Sequence, residues 1–222
     1  MTLRLTIDPE LASKVRLGVL VLEGLTVRDM DEALSEEVER ACASFRERYG
    51  SVPSGSVPGV EEARSLYKAL GIDPTKTRPS NEALLRRALK GEALYRINTL
   101  VDAVNLCSLL QQVPYGLYDL ARVRPPVTLR RGRPGEGYEG IRKGFVNVAS
   151  RPTLVDQEGA FGNPTSDSGR TSITLAARSA LIVAYAPRST GRERVERILS
   201  ETEATIARHC GGTAVARLSL PE

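Results

Sequence analysis

The chain of 222 residues has one histidine, three cysteines, two methionines and no tryptophan. His209 is followed by Cys210 at the end of a helical pattern, where adjacent side chains point in different directions, so the two cannot share a metal and no metal site is expected. Cys42, Cys107 and Cys210 are odd in number, widely spaced and without a C-x-x-C pair; they read as buried or idle thiols. With a sole histidine at a helix end, neither a Ser-His-Asp nor a Cys-His set can be assembled. No run of about eighteen apolar residues occurs, and the longest, "VRLGVLVLEGL", is broken by Gly18, Glu23 and Gly24, which excludes a membrane-spanning helix. The start "MTLRLTIDPE" has acidic residues where a signal peptide needs a basic start and an apolar block, so a cytoplasmic protein is expected.

What is present is a 41% hydrophobic composition, enough for a real core, and an uneven charge. Net charge is +4, yet between Lys76 and Lys143 thirteen Lys or Arg face six Asp or Glu. A regional basic patch favours a polyanion through counterion release, and arginine suits phosphate by bidentate hydrogen bonding. A merely solvated basic face fits the same count.

Along the chain, "LRLTI" and "VRLGVLVL" read as strands joined in a hairpin through "DPELASK". Residues 28–50 place Met30, Leu34, Val38, Ala41 and Phe45 at helical spacing, with Asp29 and Glu32 as a capping box and Gly50 as the stop. "SVPSGSVPG" is a connecting loop and "VEEARSLYKAL" a second helix. "TRPSNEALLRRALKG" is a basic helix capped by Ser80. "EALYRINTLVDAVNLCSLLQQ" begins as a short strand and becomes a helix at Thr99. Short strands and turns follow through "VPYGLYDL", "PPVTLRRGRPGEGYEGIRKG", "RPTLVDQEG", "RTSITL" and "ALIVAYAP". A helix capped by Thr190 and Glu193 and a last strand, "TAVARLSL", end the series. "GRPGEG" opens no helix and so fails the context of a dinucleotide fingerprint. Short strands interleaved with helices, without regular βαβ spacing, predict an α+β fold with a mixed sheet. The expected organisation is a strand-strand-helix extension over 1–50 packed on a main domain over 51–222.

Chemistry without a protein nucleophile leaves a water, held by hydroxyls, amides and backbone N–H groups against an already activated bond. "FGNPTSDSGRTS" offers such groups: Gly162 and Gly169 permit close backbone approach, while Asn163, Thr165, Ser166, Asp167 and Ser168 supply donors and acceptors. A polar surface turn is the other reading of this stretch. In "RINTLVDAVNL", Asn98, Asp102 and Asn105 are polar groups in a segment that is otherwise apolar, and if buried they need partners. Asp102 is accounted for by capping its own helix near Thr99.

The order of "RPSNEALLRRALKG", "YRINTLVDAVN", "PYGLYDL", "EGYEGI", "LVDQEGAFG", "SGRTSIT" and "ALIVAYAP" resembles the tRNA-editing domain (B3/B4) of the phenylalanyl-tRNA synthetase beta subunit and its free-standing relatives. The resemblance is strongest over 75–188 and leaves no length for the other synthetase modules. It implies a mixed sheet or sandwich core flanked by helices, and hydrolysis of an ester linking the wrong amino acid to tRNA, with no cofactor. Asn105 matches an amide near the amino-acid pocket and Gly162 the glycine-rich pocket loop, and Asn98 is placed beside them as substrate-binding. Asn163, Thr165, Ser166 and Asp167 are then the candidates for the hydrolytic step, and Arg78, Arg86, Arg87, Arg130, Arg131 and Arg133 those for tRNA. The chain departs from the bacterial synthetases in carrying Gly116 and Leu117 where they have a histidine before the aromatic-Asp pair, here Tyr118-Asp119. Their acidic residue has no clear match, Asp167 being the nearest carboxylate. A noncatalytic tRNA or amino-acid binding module, and a small-molecule ester or amide hydrolase, are the alternatives.

Overall fold

A computed structural model describes residues 3–221, in the order β1 (Leu5–Ile7), α1 (Pro9–Ala12), β2 (Val15–Leu25), α2 (Glu32–Tyr49), α3 (Val60–Ala69), α4 (Ser80–Leu89), α5 (Thr99–Gln111) and β3 (Tyr115–Asp119). There follow β4 (Val127–Arg131), β5 (Gly137–Glu139), β6 (Phe145–Asn147), β7 (Pro152–Asp156), β8 (Gly159–Asn163), β9 (Ser166–Asp167), β10 (Ser179–Pro187), α6 (Arg192–Cys210) and β11 (Gly211–Leu220). The architecture is α+β, as the sequence predicts.

β2 is apolar at successive positions because both of its faces are buried. It runs antiparallel to β10 on one side and β11 on the other, inside a four-stranded sheet of order β11-β2-β10-β3. Val15, Leu17, Val19 and Val21 point into a core shared with Val127, Leu129, Leu154 and Phe161 of the second sheet, whose order is β1-β4-β7-β8-β9. Leu20, Leu22 and Leu25 point the other way, into a core with α2, α4, α5 and α6. Each fully buried Leu or Val in this arrangement contributes about 1.5 to 3 kcal/mol. The result is a sheet sandwich with a helical layer on one face. β5 and β6 form a separate hairpin over Tyr138, Val148 and Ala160.

Several local expectations change. β1 does not form a hairpin with β2: α1 intervenes, and β1 pairs parallel with β4, Leu5 opposite Val127. The cap of α2 is Asp31, whose carboxylate accepts from the Leu34 amide at 2.8 Å, so Met30 lies outside the helix and is exposed. α4 starts one residue early, the Ala83 amide donating to the Pro79 carbonyl, which makes Ser80 the first helical residue and no cap. Residues 92–97 form no strand, since Arg87 donates to the Ala93 carbonyl that a neighbouring strand would have used. "RTSITL" is also irregular: Arg170 is drawn to Asp156 at 2.9 Å and Thr171 to Ser168, ahead of β10. α6 has Gly191 at its cap position, which carries no side chain to accept, and Thr190 lies one residue before it, its amide donating to the Pro187 carbonyl; Glu193 lies in the first turn, where an acid suits the helix dipole.

Candidate functional site

A cavity of about 310 Å³ lies between α4, α5, β3 and the segments around Ile141 and Ile173. Its wall is apolar at Leu84, Val101, Val104 and Leu117 and polar at Ser80, Asn105, Ser108 and Asp167. Ser108 is satisfied, donating to the Val113 carbonyl at 2.7 Å. Ser80 Oγ and Asp167 Oδ1 are sealed from solvent and have no hydrogen-bond partner. These two orphaned polar atoms belong to residues of the cavity wall, and each carries a desolvation cost of about 1 to 3 kcal/mol.

Asp167 ends the short strand β9 and lies among four phenols, Tyr67, Tyr118, Tyr138 and Tyr185, each of which feels its charge. Burial raises its carboxyl to about 7, with the Tyr118 phenol and the Leu117 backbone opposing the rise. The carboxyl is therefore divided between acid and base near neutrality. Burial also pushes all four phenols up, so they stay protonated. Tyr118 itself fits because two strands give way to it. A Cβ at Gly116 or Gly162 would run into its ring, which packs edge-on against Phe161 at 4.9 Å. Gly162 thus makes room for a tyrosine of the core, a close approach within the protein. Gly116 accommodates this ring, and Leu117 beside it lines the cavity.

The other residues singled out in the sequence divide into two groups. Asn163 is buried and its Oδ1 accepts from the Thr165 amide and hydroxyl at 2.8 and 2.6 Å and from the Ser166 amide at 2.9 Å, while its Nδ2 donates to the Tyr138 hydroxyl. It builds the β8–β9 turn. The Ser166 carbonyl is held by Tyr138 at 2.6 Å and the Pro164 carbonyl by Tyr67 at 2.6 Å, so the turn is fixed from both sides. Asn98 caps α5 by accepting from the Val101 amide at 3.0 Å, and Asp102 accepts from the Ile97 amide. Asp167 and Asn105 are the predicted pocket residues that line the cavity. Ser80 belongs to the site and was read in the sequence only as a cap.

Adjoining the cavity is a groove of about 530 Å³ that shares Ser80, Leu84, Ile97, Val101 and Asn105 with it. Arg78, Arg86, Arg87 and Lys90 face this groove, together with Thr165 and the exposed Tyr95. The three other arginines of interest lie on the other sheet's side of the chain: Arg130 is paired with Glu136 at 2.7 Å, and Arg131 with Glu10 and the Leu70 and Ser150 carbonyls. Arg133 is exposed on the turn whose amide Glu136 accepts. At the groove's edge Glu82 is fully buried, held by Arg64 in a bidentate pair at 2.6 and 2.8 Å, with Arg78 at 3.7 Å. None of the thiols faces the cavity; Cys107 and Cys210 are buried, and burial raises all three.

Fold and site together define an α+β domain with a partly open, partly polar pocket set against a basic groove. The chain belongs to the B3/4 domain family, which it matches over residues 62–211. The sequence resemblance drawn from seven ordered segments is to this same kind of domain. No protein of curated function matches the chain. Among solved structures it is similar to the crystal structure of an N-terminal fragment of the phenylalanyl-tRNA synthetase beta-subunit from Pyrococcus horikoshii, at 14% identity and a TM-score of 0.49. That match covers 100% of this chain and 55% of the fragment, so the chain spans little more than half of its length.

Proposed function

We propose that the protein is a free-standing hydrolase of misacylated tRNA, with the cavity taking the aminoacyl group and the basic groove the RNA. The observation that supports this is the shared wall: Asn105 and Ser80 belong both to a pocket with an unpartnered carboxyl oxygen and to a groove edged by Arg78, Arg86, Arg87 and Lys90. An aminoacyl ester is already activated, so a positioned water suffices. The ionised form of Asp167 accepts a proton as the water oxygen attacks the ester carbonyl. The carbon–oxygen bond to the ribose then breaks and the proton passes to the departing ribose oxygen, which becomes a hydroxyl, releasing free amino acid and tRNA. Asn105, half-buried in the cavity wall, offers an amide that discriminates among side chains by the hydrogen bond that a matching side chain makes with it and a mismatched one does not.

The test is single-turnover deacylation of a panel of mischarged tRNAs, with Asp167→Asn beside the wild type. Loss of the ester from at least one tRNA, slowed in the variant at unchanged tRNA affinity, supports the reading. A second reading, a noncatalytic tRNA-binding module, is favoured by the commitment of Asn163 and Ser166 to the turn and by the absence of a histidine at Gly116 and Leu117, ahead of the Tyr118-Asp119 pair. Binding without ester loss across the panel would select it. Hydrolysis of free aminoacyl esters with no gain from tRNA would select a small-molecule hydrolase instead.

A further inference from the structure

Tyr95 and Ile97 are large apolar side chains left 59% and 45% exposed in the connection between α4 and α5, side by side in the wall of the basic groove. Tyr95 is not loose. The Arg87 guanidinium sits 4.4 Å from its ring centroid, over one face, and donates to its hydroxyl at 3.4 Å. Arg87 is fixed in turn by the Ala93 carbonyl at 2.8 and 3.0 Å and by Glu92 at 3.2 Å. A cation on one face orients the ring and leaves the other for a flat partner. Around it Arg78, Arg86 and Lys90 supply positive charge, Lys90 lying 3.8 Å from the Glu92 that also lines the groove and Arg78 3.7 Å from Glu82, and the groove ends on the cavity through Ile97, Val101 and Asn105.

An aromatic platform beside a row of cations is the arrangement that binds unpaired nucleotides, stacking the bases while the cations follow the phosphates. A duplex offers no free base face to such a ring. We infer that the groove takes the single-stranded 3′ end of the tRNA, with Tyr95 stacking on a base and Arg86 and Lys90 on the adjoining phosphates. This rests on the proposed function and adds to it the residue that positions the strand. Tyr95 touches no reacting atom; it is a positioning residue.

The experiment measures binding of two forms of one tRNA, intact and trimmed of its unpaired 3′ nucleotides, to the wild type, Tyr95→Ala and Tyr95→Phe, with melting curves to confirm folding. Because Tyr95 is exposed, its removal is expected to leave the fold intact. Tyr95→Ala should weaken binding of intact tRNA by about tenfold, the scale of one base stack. Tyr95→Phe should bind nearly as the wild type, and neither change should affect trimmed tRNA. An equal loss on both tRNAs, or no loss on either, would overturn the platform while leaving tRNA binding in place. If the wild type binds neither RNA, the proposed function fails, and the platform with it.

Discussion

Asp167 shows how a single side chain divides between stability and chemistry. Its carboxyl is raised to about 7 by burial from an ordinary value of 3.8, so between these two pH values the folded protein holds a proton that the unfolded chain has released. Stability therefore falls as pH rises through that window, by at most about 4 kcal/mol across its whole width. Asp167→Asn cannot ionise and should melt above the wild type at pH 8.5, the gap closing toward pH 5. Deacylation should respond oppositely, rising through pH 7 in the wild type and lacking that limb in the variant. A pH series of thermal melts beside single-turnover rates checks both, and a melting gap that does not change with pH would refute the buried-carboxyl account. Asp167 was legible in the sequence as a carboxylate in a polar loop, but its phenol neighbours were not, because Tyr67, Tyr118, Tyr138 and Tyr185 come together only through folding. Asn163 was legible as polar and misread as to purpose. Its carbonyl oxygen accepts three bonds from its own turn, so Asn163→Ala should lower stability and hydrolysis together. A rate loss at unchanged melting temperature would return it to the chemistry.

Elements were legible where burial follows one clear period and illegible where pairing partners are distant. β2, α2 and α5 follow from apolar spacing alone, whereas the parallel β1–β4 pair joins residues more than a hundred positions apart, for which a local pattern has no signal. The ends of α2 and α6 meet in the same nonlocal way. His209, on the last turn of α6, places Nε2 2.9 Å from Glu37 and Nδ1 3.4 Å from Asp31, while Arg208 reaches Glu37 at 2.8 Å and Arg28 donates to the His209 carbonyl. The sole histidine thus clasps two helices. The Leu34 amide, then Arg28 and His209, lower the Asp31 carboxyl against its partial burial. For Glu37, burial acts upward, and His209 and Arg208 outweigh it. Lowered carboxyl values add stability that is present above the unfolded values and lost as pH falls through the folded ones. His209→Ala should then cost about 1 to 3 kcal/mol at pH 7, the range for a broken buried hydrogen bond, and less in acid, as the two carboxyls take up protons. Urea denaturation at pH 7 and pH 3 measures this, and a deficit of equal size at both would show that lost packing, not the carboxyl contacts, is responsible.

At the scale of the molecule, regional charge was legible but its division was not. Arg78, Arg86, Arg87 and Lys90 face the groove, Arg87 and Lys90 sharing Glu92 and Arg78 lying near Glu82, whereas Arg130 and Arg131 are tied to Glu136 and Glu10 on the other sheet's side. Charge removal at Arg86 and Lys90 should weaken tRNA binding and flatten its salt dependence by about one log–log unit per lost phosphate contact, and the same change at Arg130 should act mainly on stability. Binding titrations from low to high salt separate the two, and equal slopes in both sets would place the RNA elsewhere. The same scale decides what the first fifty residues do. The family match begins at residue 62, after β2 and α2, and among the described residues no helix is long and apolar enough to cross a membrane. Yet β2 is hydrogen-bonded along its length to both β10 and β11 and faces both cores. Without it, β11 has no neighbour in its sheet, and Leu181, Val183 and Tyr185 lose the strand beside them. Removing residues 1–50 strips that strand while leaving α4, α5 and every residue of the candidate cavity in the chain. A fragment of residues 51–222 should therefore fail to melt cooperatively, and adding a synthetic peptide of residues 3–25 should restore a transition by supplying β2 in trans. Circular dichroism melts of the fragment, alone and with the peptide, test this. A cooperative transition in the fragment alone would show that residues 1–50 are a dispensable extension and that the cavity's scaffold lies wholly within 51–222.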